Sequence, residues 1–104
     1  MLNSIKQILG FGPKVNFADL MKSGAVIVDV RTKKEFQGGH IKKSTNMPLD
    51  TLNNNLGRLN DKDQPIITCC ASGMRSASAK RILKAKGFKE VYNGGAWNSL
   101  ESKI

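Results

Sequence analysis

The amino-acid sequence predicts a small α/β domain: a mostly parallel sheet of about five strands with helices on both faces. Three features carry that expectation. Residues 25–30 (AVIVDV) form an unbroken run rich in β-branched side chains, the pattern of a strand covered on both faces. Residues 65–69 (PIITC) form a second such run, which leads through a tight loop into a helical pattern. Elsewhere, short strand-like runs alternate with stretches of helical spacing. With 104 residues and 39% hydrophobic content, the chain has room for one ordered core and no second domain.

The elements follow in order. Leu2, Ile5, Ile8, Leu9 and Phe11 are spaced like one face of a short helix, closed by Gly12-Pro13. Residues 1–13 are therefore expected to be a leader helix or tail, with the domain spanning 14–104. Val15-Asn16-Phe17 reads as a short first strand. Phe17, Leu20 and Met21 then fall at helical spacing up to Ser23-Gly24. After the 25–30 strand, Thr32-Lys33-Lys34-Glu35 fits a capping box, and Gly38-Gly39 ends the short helix it opens. Glu35 has a second available partner in Arg31, four residues earlier, and the sequence leaves both uses open.

Residues 45–47 are a strand candidate stopped by Pro48. Leu49, Leu52, Leu56 and Leu59 repeat at helical offsets and are expected in the core. Asn53-Asn54-Asn55 are weak helix formers, so packing must hold that stripe. Residues 60–63 form a polar turn. Ala79, Ile82, Leu83 and Lys86 mark one face of a helix beginning near Ser76, with Gly87 past its end. Residues 88–92 are expected as the last strand, and Gly94-Gly95 as a turn.

The stretch Cys70-Ala71-Ser72-Gly73-Met74-Arg75 joins the second apolar run to the long helix. So short a loop must turn its backbone N–H groups inward, as an anion nest around the cysteine sulfur. The helix that follows adds unsatisfied N–H groups and the positive end of its dipole. Both effects favour a Cys70 thiolate and make it a better nucleophile at neutral pH. Gly73 permits a positive φ where the chain curls. Arg75 supplies a forked set of donors for an anionic substrate or for the loop carbonyls. Ala71 and Ser72 are small and leave the mouth open. In a parallel sheet, ligands sit beyond the carboxyl ends of the strands, which is where Cys70 falls.

Cys69 and Cys70 are adjacent, too close for ordinary bridge geometry, and on a strand they point to opposite faces. Cys69 is expected to face the core. A free thiol suits a reducing cytoplasm, the expected location. His40, the single histidine, is expected to brace local backbone, because a cysteine activated by amides needs no separate base. No cluster of side chains has metal-ligand spacing, so neither a metal nor a cofactor is expected. Trp97 reads as a core or pocket-wall residue. No run is long and apolar enough to span a membrane. The formal net charge of +9 comes from scattered lysines not interleaved with aromatics, which argues against a nucleic-acid groove and leaves an acidic protein partner open.

Cys70-x-x-Gly73-x-Arg75-Ser76 resembles the active-site loop of rhodanese-type sulfurtransferases. A second block agrees: Val28-Asp29-Val30-Arg31, Glu35-Phe36, Gly39-His40-Ile41 and Asn46-Met47-Pro48. A third, Asn93-Gly94-Gly95-Ala96-Trp97, is similar to the family's C-terminal Gly-Gly-x-x-Trp region. The resemblance runs from about Val15 to Ser99. Two departures stand out: Ala71, where many relatives carry a larger polar or basic residue, and Lys42-Lys43-Ser44 in place of a small Gly-Ala pair.

The resemblance implies a single rhodanese-like domain and a sulfurtransferase. Cys70 would be the nucleophile, and residues 71–75 the loop that holds the transferred sulfur. Asp29, Arg31, Glu35, His40 and Trp97 would be structural residues near the site. The implied partners are a small sulfur donor, thiosulfate or a persulfide, and a thiol acceptor. Two other functions compete. One is a sulfur-relay or binding module without fast turnover. The other is a phosphatase or arsenate reductase, whose related loop carries one more residue between Cys and Arg.

Overall fold

The computed structural model describes residues 15–104. The expected leader over residues 1–13 lies outside the described residues. Within them, four strands form one parallel sheet in the order β2-β1-β3-β4: β1 Val26–Asp29, β2 Thr45–Asn46, β3 Ile66–Cys70 and β4 Val91–Ala96. The helices are α1 Phe17–Lys22, α2 Lys33–Gln37, α3 Met74–Ala85 and α4 Trp97–Glu101.

The sheet is buried on both sides, as its continuous apolar runs require. On one face α3 contributes Ala79 and Leu83, and the β2–β3 connection contributes Leu52 and Leu59. They pack on Val28, Ile66 and Val91. On the other face Leu100 of α4 and Phe17, Leu20 and Met21 of α1 pack against Ile27, Ile67 and Cys69. Strand β3 alternates between the two layers, so Cys70 joins the first and Cys69 the second.

Four local expectations are corrected. The proposed first strand at residues 15–17 is absent, because Asn16 caps a helix instead: its side-chain oxygen accepts the Asp19 N–H at 3.0 Å. The described sheet therefore has four strands rather than about five. The leucine stripe folds as two 3-10 segments, Leu49–Asn54 and Leu56–Arg58, rather than an α-helix. Three consecutive asparagines and Gly57 give little intrinsic support to the longer helix. Leu52 and Leu59 are nonetheless buried. Helix α3 starts at Met74, two residues before Ser76.

The fourth correction concerns Gly94-Gly95, which is strand rather than turn. Strand β4 runs from Val91 through both glycines to Ala96, with a register irregularity opposite Thr68 and Cys70. Gly94 has no room for a side chain. A Cβ there would lie 2.8 Å from Ile67 Cγ2, Leu100 Cδ2 and the Thr68 carbonyl oxygen. Gly94 thus lets β4 pass close to the strand that carries Cys70 and to helix α4, and Gly95 takes a positive φ beside it. Gly94→Ala should cost about 1–3 kcal/mol in chemical denaturation. A variant as stable as wild type would show that Ile67 and Leu100 give way freely.

Candidate active site

The corner between β1 and α2 is built around a buried carboxylate. Asp29, fully buried, accepts the Arg31 backbone N–H at 3.0 Å and the guanidinium through Nε at 3.0 and 3.1 Å and Nη2 at 2.7 Å. The same guanidinium donates to the carbonyls of Glu35 and Gly39 and lies 4.8 Å from the Trp97 ring centroid. Every polar atom of this buried pair is thereby occupied, which is the condition for its being tolerated inside. The bond to Asp29 also raises the Arg31 pKa, against the opposing effect of burial. Asn46 ties β2 to the corner by donating to the carbonyls of Asp29 and Arg31. His40 stacks on Phe36 at 3.7 Å, and its Nδ1 lies 2.7 Å from the Phe36 carbonyl oxygen.

Glu35 completes the capping box with Thr32, as its spacing suggests. The second partner of its carboxylate is not Arg31, which meets only the Glu35 carbonyl, but Arg75, forty residues on, through two bonds of 2.7 and 3.0 Å. Arg75 holds the Glu35 pKa down to about 2, helped by the Thr32 backbone N–H. The pair thus stays ionised across the ordinary pH range. What it contributes to stability is present above about pH 4.5 and is lost as the pH falls toward 2. Arg75 therefore braces the loop against α2 and offers no unpaired charge to a ligand.

Gly73 adopts φ +105°, a left-handed conformation that side chains resist, and it caps α3. This curl turns the Gly73 N–H onto Cys70 Sγ at 2.9 Å. The Ser76 N–H reaches the same sulfur at 3.4 Å, and the Ser76 hydroxyl oxygen lies 3.6 Å from it. Burial pushes the Cys70 thiol up. The Ser76 side chain and the N–H groups of Ser76, Gly73 and Ser72 more than offset that, so the pKa falls below its usual 9.0. Cys69, in the opposite layer without such donors, is pushed up by burial to about 12.

Two residues outside the expected loop hold the nest in place. The Ser76 hydroxyl lies 2.6 Å from Asn93 Oδ1 and 3.0 Å from the Gly73 carbonyl oxygen. Asn93 also donates to the Gly73 carbonyl from Nδ2 and accepts the Gly95 N–H. Thr68 Oγ1 donates to the Ser76 carbonyl, pinning α3 to β3. A signal for these was available: a serine in the first helical turn after Gly73, and a polar Asn ahead of two glycines in a late strand. The structure thus brings Cys70, Gly73, Arg75 and Glu35 together at the carboxyl ends of β1, β3 and β4. Asp29, Arg31, His40 and Trp97 form the adjoining corner. Ala71, Ser72 and Met74 border the sulfur without bonding to it through their side chains.

A parallel α/β domain that offers one cysteine sulfur to amides at a strand-to-helix turn is a cysteine-loop domain of the kind the sequence motifs describe. The chain belongs to the rhodanese-like domain family, whose model matches residues 15–99. The uncharacterized protein YqhL of Bacillus subtilis is 36% identical over 69 residues, 66% of this chain and 54% of that protein. The thiosulfate sulfurtransferase GlpE of Ectopseudomonas mendocina is 37% identical over 75 residues, 72% of this chain and 68% of that one. The chain thus spans about half to two thirds of the length of these relatives. The crystal structure of a rhodanese-like domain protein from Staphylococcus aureus matches with a TM-score of 0.66 at 34% identity, covering 73% of this chain and 74% of that chain.

The nest has a measurable consequence. Alkylation of Cys70 by iodoacetamide should decline with falling pH only below the range of an ordinary thiol, because the thiolate persists to lower pH. Cys69 should stay unmodified throughout. Asn93→Ala should move the Cys70 inflection upward, and an unmoved inflection would show that Asn93 does not hold the donors in place.

Proposed function

We propose that the protein is a sulfurtransferase that carries sulfane sulfur on Cys70. The thiolate attacks the outer sulfur of thiosulfate or of a persulfide. The donor's S–S bond breaks, its electron pair leaves with sulfite or a thiolate, and a new S–S bond forms at Cys70. A thiol, or cyanide in an assay, then takes the outer sulfur and releases the Cys70 thiolate. Two half-reactions through a covalent intermediate imply ping-pong kinetics.

One observation carries this reading: Cys70 Sγ receives the Gly73 N–H at 2.9 Å and the Ser76 N–H at 3.4 Å. Fixed donors around a developing sulfur anion lower its energy without reorganising during the reaction. The same donors suit the terminal sulfur of a persulfide. Membership of the rhodanese-like family and the likeness to GlpE point the same way.

Treatment with thiosulfate or a persulfide should add one sulfur, about 32 Da, to the peptide containing Cys70. Cys70→Ser should remove the adduct and lower transfer at least about a thousandfold. Cys69→Ala should keep both. Transfer lost in Cys69→Ala but kept in Cys70→Ser would assign the chemistry to the other sulfur.

A further inference from the structure

Helix α3 and the turn after it carry charge that the cysteine loop does not use. Residues 74–89 contain Arg75, Lys80, Arg81, Lys84, Lys86 and Lys89 and no acidic residue. Among the described residues Arg75 pairs with Glu35 and Lys89 with Asp63, while Lys80, Arg81, Lys84 and Lys86 have no ionic partner. The helix dipole accounts for cations at the carboxyl end, Lys84 and the capping Lys86. It does not account for Lys80 and Arg81, a turn earlier. Lys80 and Lys84 stand four residues apart, a spacing at which like charges repel and weaken a helix.

The helix turns Ser76, Ala79 and Leu83 to the sheet, all fully buried. At about 100° per residue, its opposite face carries Met74, Ser78, Arg81 and Lys84. Met74 is 79% exposed, and Arg81 and Lys84 are exposed as well. The Ser78 hydroxyl accepts a bond from Arg81 Nη2 at 3.1 Å, which lays the guanidinium along this face. Met74 follows Gly73 directly, so the face begins at the loop that surrounds the sulfur. Arg81 and Lys84 lie about 10 and 15 Å further along the axis, at 1.5 Å per residue.

The loop offers no free cation of its own. Arg75 is engaged by both oxygens of Glu35, and Ala71, Ser72 and Met74 are uncharged. Attraction for an anionic partner therefore comes from α3, at a distance that a small molecule at the loop does not span. A membrane surface is disfavoured, because the apolar side of α3 is spent on the sheet and Met74 alone supplies outward apolar surface. Single-stranded nucleic acid is disfavoured too: α3 has no aromatic residue on which a base could stack, and Phe88 beyond it is buried. An acidic protein segment needs neither feature.

We infer that the outer face of α3 docks an acidic segment of a protein whose thiol accepts sulfur from Cys70. The inference rests on the sulfurtransferase reading above. The acceptor thiolate attacks the outer sulfur of Cys70–S–SH and the S–S bond breaks. The electron pair returns to Cys70 as thiolate, and the outer sulfur leaves with its proton as the acceptor's persulfide.

Short peptides with one cysteine test this. One carries a run of glutamates beginning about three residues from the cysteine, the reach of an extended chain from Met74 to Arg81. Its counterparts carry glutamine or lysine there, and each is made with the cysteine at either end. The protein is loaded with thiosulfate, and kcat/KM for transfer to each peptide is divided by that peptide's rate with a small disulfide in solution. At low salt the glutamate peptide should exceed the glutamine peptide by about tenfold, with the lysine peptide below both. The spread should close near about 1 M salt, where screening acts within about 3 Å. Arg81→Glu with Lys84→Glu should reverse the order and leave transfer to cyanide unchanged. The milder pair Arg81→Gln with Lys84→Gln should bring the ratio close to one. Equal wild-type rates for the glutamate and glutamine peptides, or an order untouched by both double variants, would overturn the docking assignment while transfer to cyanide stood. Binding of a uridine oligonucleotide that both double variants abolish, with no preference among the peptides, would overturn it in favour of nucleic acid. Failure of Cys70 to load would instead overturn the sulfurtransferase reading, and the docking assignment with it.

Discussion

The bond from the Gly73 N–H to Cys70 Sγ is the constraint to which the surrounding residues answer. It exists only if the chain curls at once after β3, and the left-handed φ of Gly73 makes that curl. Around it stand successive layers of support. Asn93 and the Ser76 hydroxyl hold the Gly73 carbonyl, which fixes the peptide that follows the curl. Thr68 fixes the first turn of α3 against β3. The sulfur ends up in a buried position where an anion would normally be disfavoured and where amides restore the balance.

Two thiols in adjacent positions show how far environment sets acidity. Cys69 and Cys70 leave the same strand in opposite directions, into different packing layers. One meets Ile27, Ile67 and Leu100 and remains a thiol. The other meets backbone donors and becomes acidic. Strand alternation, which needs no special residue, performs this separation.

What could be read from the chain divides along the distance between partners. The Thr32–Glu35 capping box, the helix after Gly73, the two-sided burial of β1 and β3 and the inward curl at Cys70 all depend on neighbours a few residues apart. Their residue types state them directly. The pairing of Glu35 with Arg75 joins positions forty residues apart, and nothing local signals it. Asn93 matters only because β4 lies beside β3. Gly94-Gly95 looked like a turn because glycines usually are. Here Gly94 meets a demand for space from Ile67 and Leu100, which belong to other segments, while Gly95 supplies a positive φ. The leucine stripe showed the reverse: burial was evident from spacing, but weak helix formers between the leucines settled it into 3-10 segments.

The Arg75–Glu35 pair also fixes the far end of the ring that surrounds the sulfur, because it ties the first turn of α3 to a separate helix. Thr68 and Asn93 hold the same turn from β3 and β4. With both ends anchored, a residue added between Cys70 and Gly73 would have to bulge within the loop and would leave the phase of the helix alone. The gauge of the ring is thus set by the number of residues strung between two fixed posts, and a wider ring for a bulkier anion could arise without loosening the clasp.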